Sequence, residues 1–524
     1  MFERSGFMVI GDWLTRRERL TPNKVAIVDT LHGDRRVSYR EWNQVANRTA
    51  CFLRDRLGIV KGDRVAVLAM NCVEYLDVWF ALGKLGGVMQ NLNWRLTPHE
   101  LTGLIRDVSP KALIYGSEFT AQVNEMRSNL PSVENYVAVD LKAAENDCSL
   151  SERDAFDPIA PPQVELDWDD PWVICYTGGT TGSPKGAILT HRSITANAVN
   201  TIVSWGLTQD DVAILDSPLF HTGGLNVFTA PLAYVGGTSI VCKGFDPDQV
   251  FDLIRDGDVT IYFGVPTMFI MLQQHPRWPE ADFVKLKLVI SGGAPCPMPV
   301  FEKFWARDVD FKTGYGLTEA GPNTFWLPPE DVRAKPGSVG FPLFHIDVKI
   351  VREDDSECEP DEVGELLIRG PHVCAGYWNN PKETKEAIRP LVDDPNGPTW
   401  LRTGDLAMRD VEGYYYIVGR SKDMFISGGE NVYPAEIESV LHAHPAVAES
   451  AVITVPHEKW GEVGRAIVVT TEGEHLEENE ILEFARQRLA SFKVPKSVVF
   501  VEELPKTGAN KIDKKLLMDN YGSP

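Results

Sequence analysis

The chain has 524 residues, 43% hydrophobic and 24% charged, an ordinary globular composition that excludes fibrous and disordered classes. Its 52 Lys and Arg against 74 Asp and Glu leave a formal net charge of −22, a field that repels polyphosphate backbones and argues against nucleic acid as a partner. The same field opposes ATP-like anions, so any nucleotide has to be held by local backbone amides and placed cations.

The start, Met1-Phe2-Glu3-Arg4, lacks the basic-then-apolar pattern of a secretory leader. The eight cysteines are dispersed without a CxxC, so neither a zinc knuckle nor a disulfide framework is expected, and a cytoplasmic protein with reduced thiols is. Arg64–Ala69 reads as a buried strand and Val73–Leu85 as a helix beside it. Thr97-Pro-His-Glu100 offers an N-cap hydroxyl, Pro at N1 and an acid at N3, a helix start before the next strand at Lys111–Tyr115. Residues 120–170, polar and proline-containing, are expected as a surface excursion. Strands resume at Trp172–Tyr176, Thr238–Cys242, Val259–Phe263 and Lys287–Ser291. The alternation predicts an α/β layer structure with mainly parallel sheet.

The charge-free run Ser217–Cys242 contains Pro218, Pro231 and four glycines, so a buried strand-and-loop segment is expected rather than a membrane helix. Around 340–370 the pattern turns β-rich, with Val348–Val351 and Glu365–Arg369 in a small barrel or a distorted sheet. Past Gly419 come a helix at Glu436–His442, strands at Ala451–Val455 and Ala466–Thr470, and an amphipathic helix at Glu477–Phe492. The organisation expected is a large α/β N-terminal domain, 1–421, with a small β-rich part, and a small α+β C-terminal domain, 422–524.

One segment carries most of the chemical signal. Directly after the strand ending at Tyr176 come Thr177, Gly178, Gly179, Thr180, Thr181, Gly182, Ser183, Pro184 and Lys185. Glycines let the backbone turn its N–H groups inward, hydroxyls add donors and Lys185 adds charge, the equipment of a phosphate cradle. It is not a Walker A loop, because Gly186 rather than Ser or Thr follows the lysine.

That segment resembles the phosphate-binding motif of the adenylate-forming superfamily, which includes acyl-CoA synthetases, peptide-synthetase adenylation domains and beetle luciferases. The resemblance continues in chain order over nearly the whole sequence. Gly292-Gly-Ala-Pro295 is similar to the family's adenine-side turn, Tyr315-Gly-Leu-Thr-Glu319 to its Tyr-Gly-x-Thr-Glu signature, and Thr403-Gly-Asp405 to its Thr-Gly-Asp element. Gly419–Asp423 with Gly428–Glu438 is similar to the inter-domain signature, and Pro505–Lys511 to the C-terminal lysine motif. Two departures stand out: Asn510 replaces the usual Gly before the lysine, and Thr313 stands where Asn or Gln is common.

The resemblance implies an AMP-forming acid–CoA ligase with ATP, Mg²⁺ and coenzyme A as cofactor and co-substrates. A carboxylate attacks the α-phosphate to give acyl-AMP and pyrophosphate, and the CoA thiol then takes the acyl group and releases AMP. In this reading Glu319 ligates Mg²⁺, while Thr318 and the loop from Thr177 to Lys185 hold phosphates. Tyr315 packs on the adenine beside Gly293, Ala294, Pro295 and Gly316. Asp405 takes the ribose diol with Arg420 as an added donor, and Lys511 reaches the acyl carboxylate and α-phosphate. The small domain turns about Lys422, alternating Lys511 with the Gly428 and Gly429 face that opens the pantetheine passage. Trp460 either stacks on the CoA nucleotide or is structural.

The acyl pocket is expected from His221, Thr222, Gly223, Val265, Gly292 and Leu317. These stretches carry no charge apart from Glu319, and an unpaired buried charge costs several kcal/mol, so an apolar, uncharged acid is implied. Amino-acid-activating relatives carry Asp where His221 stands, which argues against an α-amino acid. His221 is either a gate or a packed histidine. A fatty acid is the first choice; an aryl or alicyclic acid, or loading of a separate carrier protein, is the alternative. A homo-oligomer is compatible with the sequence.

Overall fold

A computed structural model describes residues 10–140, 144, 146–161, 164–177, 184–427, 430–457, 459–471, 473–507 and 511–523. Two seven-stranded sheets carry most of the larger, N-terminal domain. The first runs, in spatial order, Cys148–Ser149, Asn135–Ala138, Ala112–Tyr115, Arg64–Leu68, Val88–Asn91, Pro171–Thr177 and Lys185–Thr190. All neighbours are parallel except the last pair. The second runs Phe311–Thr313, Leu288–Ser291, Ile261–Gly264, Val212–Leu215, Thr238–Val241, Val25–Asp29 and Arg35–Ser38, again parallel until its last pair.

These strands are apolar along their length because parallel strands carry helices on both faces. One buried cluster takes side chains from both sheets, including Val65 and Val173 of the first and Ile27 and Val241 of the second. At its centre Trp79 and Trp172 stack with ring centroids 5.2 Å apart. The expected helix start at Thr97 is present in full. Its hydroxyl accepts from the Glu100 N–H at 3.4 Å, and the Glu100 carboxylate accepts from the Thr97 N–H at 2.8 Å.

The sequence reading needs correction in three places. Residues 120–170 are only partly an excursion, since a helix at Thr120–Met126 buries Val123 and Met126 and Asn135–Ala138 joins the first sheet. The run 217–242 is largely helical before its strand, with Thr222–Gly224, a π-helical turn at Leu225–Thr229 and a helix at Ala230–Val235. Pro231 is tolerated inside this run because the carbonyls it cannot serve are taken by side chains: Asn226 O accepts from Asn197 Nδ2 at 2.8 Å and Val227 O from Asn323 Nδ2 at 3.0 Å. The C-terminal amphipathic helix spans Glu478–Arg486 only. Its end tightens as the Arg488 N–H bonds Ala485 O at 3.0 Å, and Leu489 and Phe492 meet the small core from the following turns.

The β-rich part is a five-stranded antiparallel sheet. Trp400–Arg409 pairs with Gly364–Arg369, Ile388–Arg389 and Tyr415–Arg420, and Asp347–Val351 flanks it. The smaller C-terminal domain is a second five-stranded sheet built on the hairpin Val447–His457 and Gly461–Thr470, with Pro434–His442 and Glu478–Arg486 packed on it. Among the described residues no helix is long and apolar enough to cross a membrane, and all eight cysteines are free.

Candidate active site

Parallel strands present their carboxyl ends on one edge, where ligands of open α/β sheets bind. Thr177, Gly264, Ser291 and Thr313 are such ends, and each leads straight into a segment singled out above. Gly178, Gly179, Thr180, Thr181 and Gly182 lie outside the described residues. The two ends of their loop are paired, Thr177 opposite Lys185.

Glu319 sits in a single 3₁₀ turn, Thr318–Ala320, and is buried together with Thr318. Its Oε1 accepts from the Thr177 hydroxyl at 3.2 Å and from the Tyr377 hydroxyl at 2.9 Å. Its backbone carbonyl accepts from the Cys374 N–H at 2.7 Å. Lys185 pairs with Glu383, and its ammonium lies 5.4 Å from the centroid of the Tyr377 ring.

Tyr315 is fixed from both sides. The Gly314 N–H bonds Ser291 O at 2.7 Å, and Tyr315 O accepts from the Thr324 N–H at 3.1 Å. A Cβ on Gly316 would run into the carbonyl of Pro322, so this turn admits only glycine. The phenol donates to Asp405 Oδ2 at 2.6 Å, while Arg420, opposite Asp405 in the sheet register, reaches Oδ1 at 3.2 Å. Burial pushes the Asp405 carboxyl up from its ordinary value, and Arg420, Tyr315 and Lys511 pull against that. The phenol of Tyr315 is held far above its usual range by burial and then by Asp405.

Lys511 enters from the C-terminal domain. Its Cε lies 3.7 Å from where a Cβ on Gly293 would stand, an ordinary contact; glycine is called for there by its φ of +81° rather than by the lysine. Burial and Arg420 lower its pKa; Asp405 and Glu319 raise it. The lysine therefore feels both carboxylates at once.

On the acyl side, His221 Nδ1 accepts from the Gly223 N–H at 3.1 Å and caps the short helix that follows. Burial, then Lys511 and Arg95, push this imidazole down to about 3, so it is neutral. It is half-buried at the cleft rather than sealed in a core. Thr222 is buried, with its hydroxyl accepting from Asn226 Nδ2 at 3.1 Å. Carbons of the Phe263 ring approach the Cβ positions of Gly223 and Gly292 at 3.4 and 3.1 Å, so this ring stands between the two glycines. Val265 lies 3.7 Å from the Gly293 Cβ position. Leu317 joins Tyr315 and Phe263 around one apolar cluster. Ala294 is half-buried and Pro295 exposed in the turn after Ser291.

Two expected positions, Lys422 and Trp460, make no contact with these groups among the interactions described. Lys422 is exposed in the turn where the Asp423 and Met424 N–H groups both bond Arg420 O at 3.1 Å. Trp460 is 40% exposed with the Lys459 ammonium 4.6 Å from its ring centroid. Gly428 and Gly429 lie outside the described residues. Sequence reasoning missed Phe263 as a pocket wall, and it missed Tyr377 and Glu383 altogether. For Tyr377 the only signal was an aromatic pair, Tyr377-Trp378, just after Gly376.

Arg420 and Lys511 thus lie near Asp405, Lys511 is also within electrostatic reach of Glu319, and Lys185 lies beside the Tyr377 ring whose hydroxyl holds Glu319. Among the described residues no group of three His, Cys, Asp or Glu could cage a metal ion. Buried Glu319 still fits Mg²⁺, which is commonly held by one or two carboxylates plus substrate phosphates.

The family model for AMP-binding enzymes matches residues 14–378, and that for the AMP-binding enzyme C-terminal domain matches 436–511. A feruloyl-CoA synthase of Amycolatopsis sp is 38% identical over 98% of this chain and 99% of its own. A long-chain-fatty-acid–CoA ligase of Mycobacterium tuberculosis is also 38% identical, over 98% and 99%. The crystal structure of ATP-bound MatB from Rhodopseudomonas palustris superposes with a TM-score of 0.87 at 32% identity, covering 98% of this chain and 99% of that one.

Proposed function

The chain belongs to the AMP-binding enzymes as an ATP-dependent, AMP-forming acyl-CoA synthetase of the adenylate-forming superfamily, and from that premise we propose that its acid is apolar, uncharged and short or planar, an aryl acid before a fatty acid. The observation that carries this is Phe263. Its ring fills the gap between Gly223 and Gly292 and shuts off the space behind, where Leu215, Val227 and Phe228 line a small cavity. An aromatic acid gains offset or edge contacts with such a ring, worth about 0.5–1.5 kcal/mol beyond its buried area. A fatty acid is the second reading; the cavity beside Phe263 is only about 10 Å³ and carries Ser217, Thr229 and Ser239 among its lining, so a chain would have to displace that ring to gain room. The two relatives named above, one a feruloyl-CoA synthase and one a long-chain-fatty-acid–CoA ligase, support one reading each.

In the proposed division of labour, Asp405 accepts the ribose hydroxyls while Tyr315 and Arg420 hold its carboxylate in place. Lys185 and Thr177 receive the outer phosphates. Glu319, held by Thr177 and Tyr377, is the protein ligand for Mg²⁺, which when bound offsets the charge gathered on the phosphates. Lys511 donates to the acid carboxylate and the α-phosphate as they meet, two anions that repel each other without it. His221, neutral and tethered to Gly223, borders the carbonyl without adding charge. The small domain then turns about Lys422 to admit the thiol along Gly428 and Gly429. An acid panel with ATP, Mg²⁺ and CoA tests the substrate assignment. Cinnamate- or benzoate-type acids giving higher kcat/KM than C8–C16 fatty acids support it, and the reverse order refutes it.

A further inference from the structure

We propose that Glu383 is the resting counter-ion of Lys185, a carboxylate that the ATP phosphates displace and that therefore sets how tightly the triphosphate is held. The proposal rests on the assignment of Lys185 to the phosphates made above.

The local chain geometry leaves Glu383 little freedom. Residues 375–378 lie antiparallel along the strand Lys185–Thr190. The Ile188 N–H bonds Gly376 O at 2.9 Å, the Ala375 N–H bonds Ile188 O at 3.0 Å, and the Trp378 N–H bonds Gly186 O at 2.8 Å. The helix Pro381–Ala387 is then bolted to this stretch. Asn380 caps it by accepting from the Glu383 N–H at 3.2 Å, and the Thr384 hydroxyl accepts from the Tyr377 N–H at 2.8 Å. Glu383 is thus presented to Lys185 by two rigid elements rather than reaching it by chance.

The pair is also partly withdrawn from water. The Lys185 side chain is 13% exposed and that of Glu383 23%. An ion pair at that depth is held better than the exposed pairs whose net worth is near zero. The Tyr377 ring flanks the ammonium while its hydroxyl holds Glu319, so the resting lysine is parked next to the metal-side carboxylate. An arriving triphosphate must exchange one anion for another at Lys185, and the tethered carboxylate is a competitor at high effective concentration. The exchange concerns only the outer phosphates. AMP, which lacks them, should be indifferent to it, so the device would distinguish substrate nucleotide from product nucleotide.

The test is calorimetric binding of MgATP and of AMP to the full-length protein. Glu383→Gln keeps the shape and removes the charge. It should tighten MgATP binding roughly three- to tenfold and leave AMP binding unchanged. In a Lys185→Met background the same substitution should have no effect, because the two residues act as a pair. Glu383→Ala should give the same signs and guards against a contact peculiar to glutamine. The proposal is overturned if MgATP binding weakens or stays unchanged in Glu383→Gln while Lys185→Met still weakens it. It is equally overturned if MgATP and AMP shift together, or if the gain persists without Lys185. Unchanged MgATP affinity in Lys185→Met alone would remove the phosphate assignment itself, and this proposal with it.

Discussion

The phenol of Tyr315 donates to Asp405 Oδ2 at 2.6 Å, joining two motifs ninety residues apart in the chain. One follows the edge strand of a parallel sheet and the other lies in the antiparallel β-rich sheet, so the proposed nucleotide cleft lies where the two architectures meet. The bond fixes a buried carboxylate that Arg420 reaches from its other side. Tyr315→Phe keeps the ring and removes the donor. A hydrogen bond to a charged group is worth about 1.5–3 kcal/mol, so AMP and ATP affinity should fall by about 10- to 100-fold. Asp405→Asn should lose at least as much. Calorimetric titration with both nucleotides checks this; equal binding by wild type and Tyr315→Phe would separate Tyr315 from ribose recognition.

Lys511 should act in one half of the reaction only. Lys511→Ala is expected to slow acyl-AMP formation by roughly 10²–10³, the scale of one preorganised donor, and to spare thioester formation from supplied acyl-AMP. The pH dependence has a definite sign. The working form is the cation, and burial and Arg420 lower its pKa below the ordinary 10.5. Adenylation should therefore decline as pH rises, at a midpoint below that of a free lysine. Single-turnover rates of both half-reactions across pH 7–10 measure it, and equal losses in the two halves would contradict the assignment.

Glu319 should reveal itself through magnesium. Glu319→Gln can still accept from Thr177 and Tyr377, so the local hydrogen bonds survive while the charge is lost. The Mg²⁺ concentration for half-maximal activity should rise by roughly tenfold or more, the scale of one hard-ion ligand charge. A superimposable metal titration would take Glu319 out of the metal site.

What the sequence made legible divides along a physical line. Glu319, Asp405, Arg420 and Lys511 were singled out through motifs that resemble the family's, and the structure brings them near one another because such short motifs fold locally into turns and sheet register. Glu383 and Tyr377 were not. Their roles come from two elements lying side by side, and nothing in a short window records that Pro381–Ala387 abuts the strand begun by Lys185. Phe263 shows the same limit: strand Ile261–Gly264 was placed to within two residues, yet which pocket its ring fills depends on Gly223 and Gly292 arriving from elsewhere. The helices at 222–235 were misread because an apolar run buried on all sides carries no period to distinguish helix from strand.

Phe263 should set the length of the acid. Phe263→Ala removes the ring between Gly223 and Gly292 and joins the cleft to the cavity lined by Leu215, Val227 and Phe228. Preference should move toward longer chains, with kcat/KM for a C8 or longer acid rising relative to an aryl acid by roughly tenfold, the worth of a few buried methylenes. An unchanged ratio would place the pocket floor elsewhere.

Asp216, just behind that cavity, carries the sharpest stability prediction. It is buried, receives the Tyr262 hydroxyl at 2.9 Å, and burial pushes its carboxyl up to about 7 from an ordinary 3.8. Between these two values the folded chain holds a proton that the unfolded chain has lost. The stability from this group is therefore full below about pH 4 and declines as pH rises to about 7, by up to about 4 kcal/mol in all. Asp216→Asn keeps an acceptor for Tyr262 and cannot ionise, so it should raise the thermal midpoint of the N-terminal domain at pH 8 by several degrees and change it little at pH 4. Melting curves of the two proteins at both pH values decide it. An Asn variant less stable than wild type at pH 8 would mean the carboxylate is ionised and held by partners that the amide cannot serve.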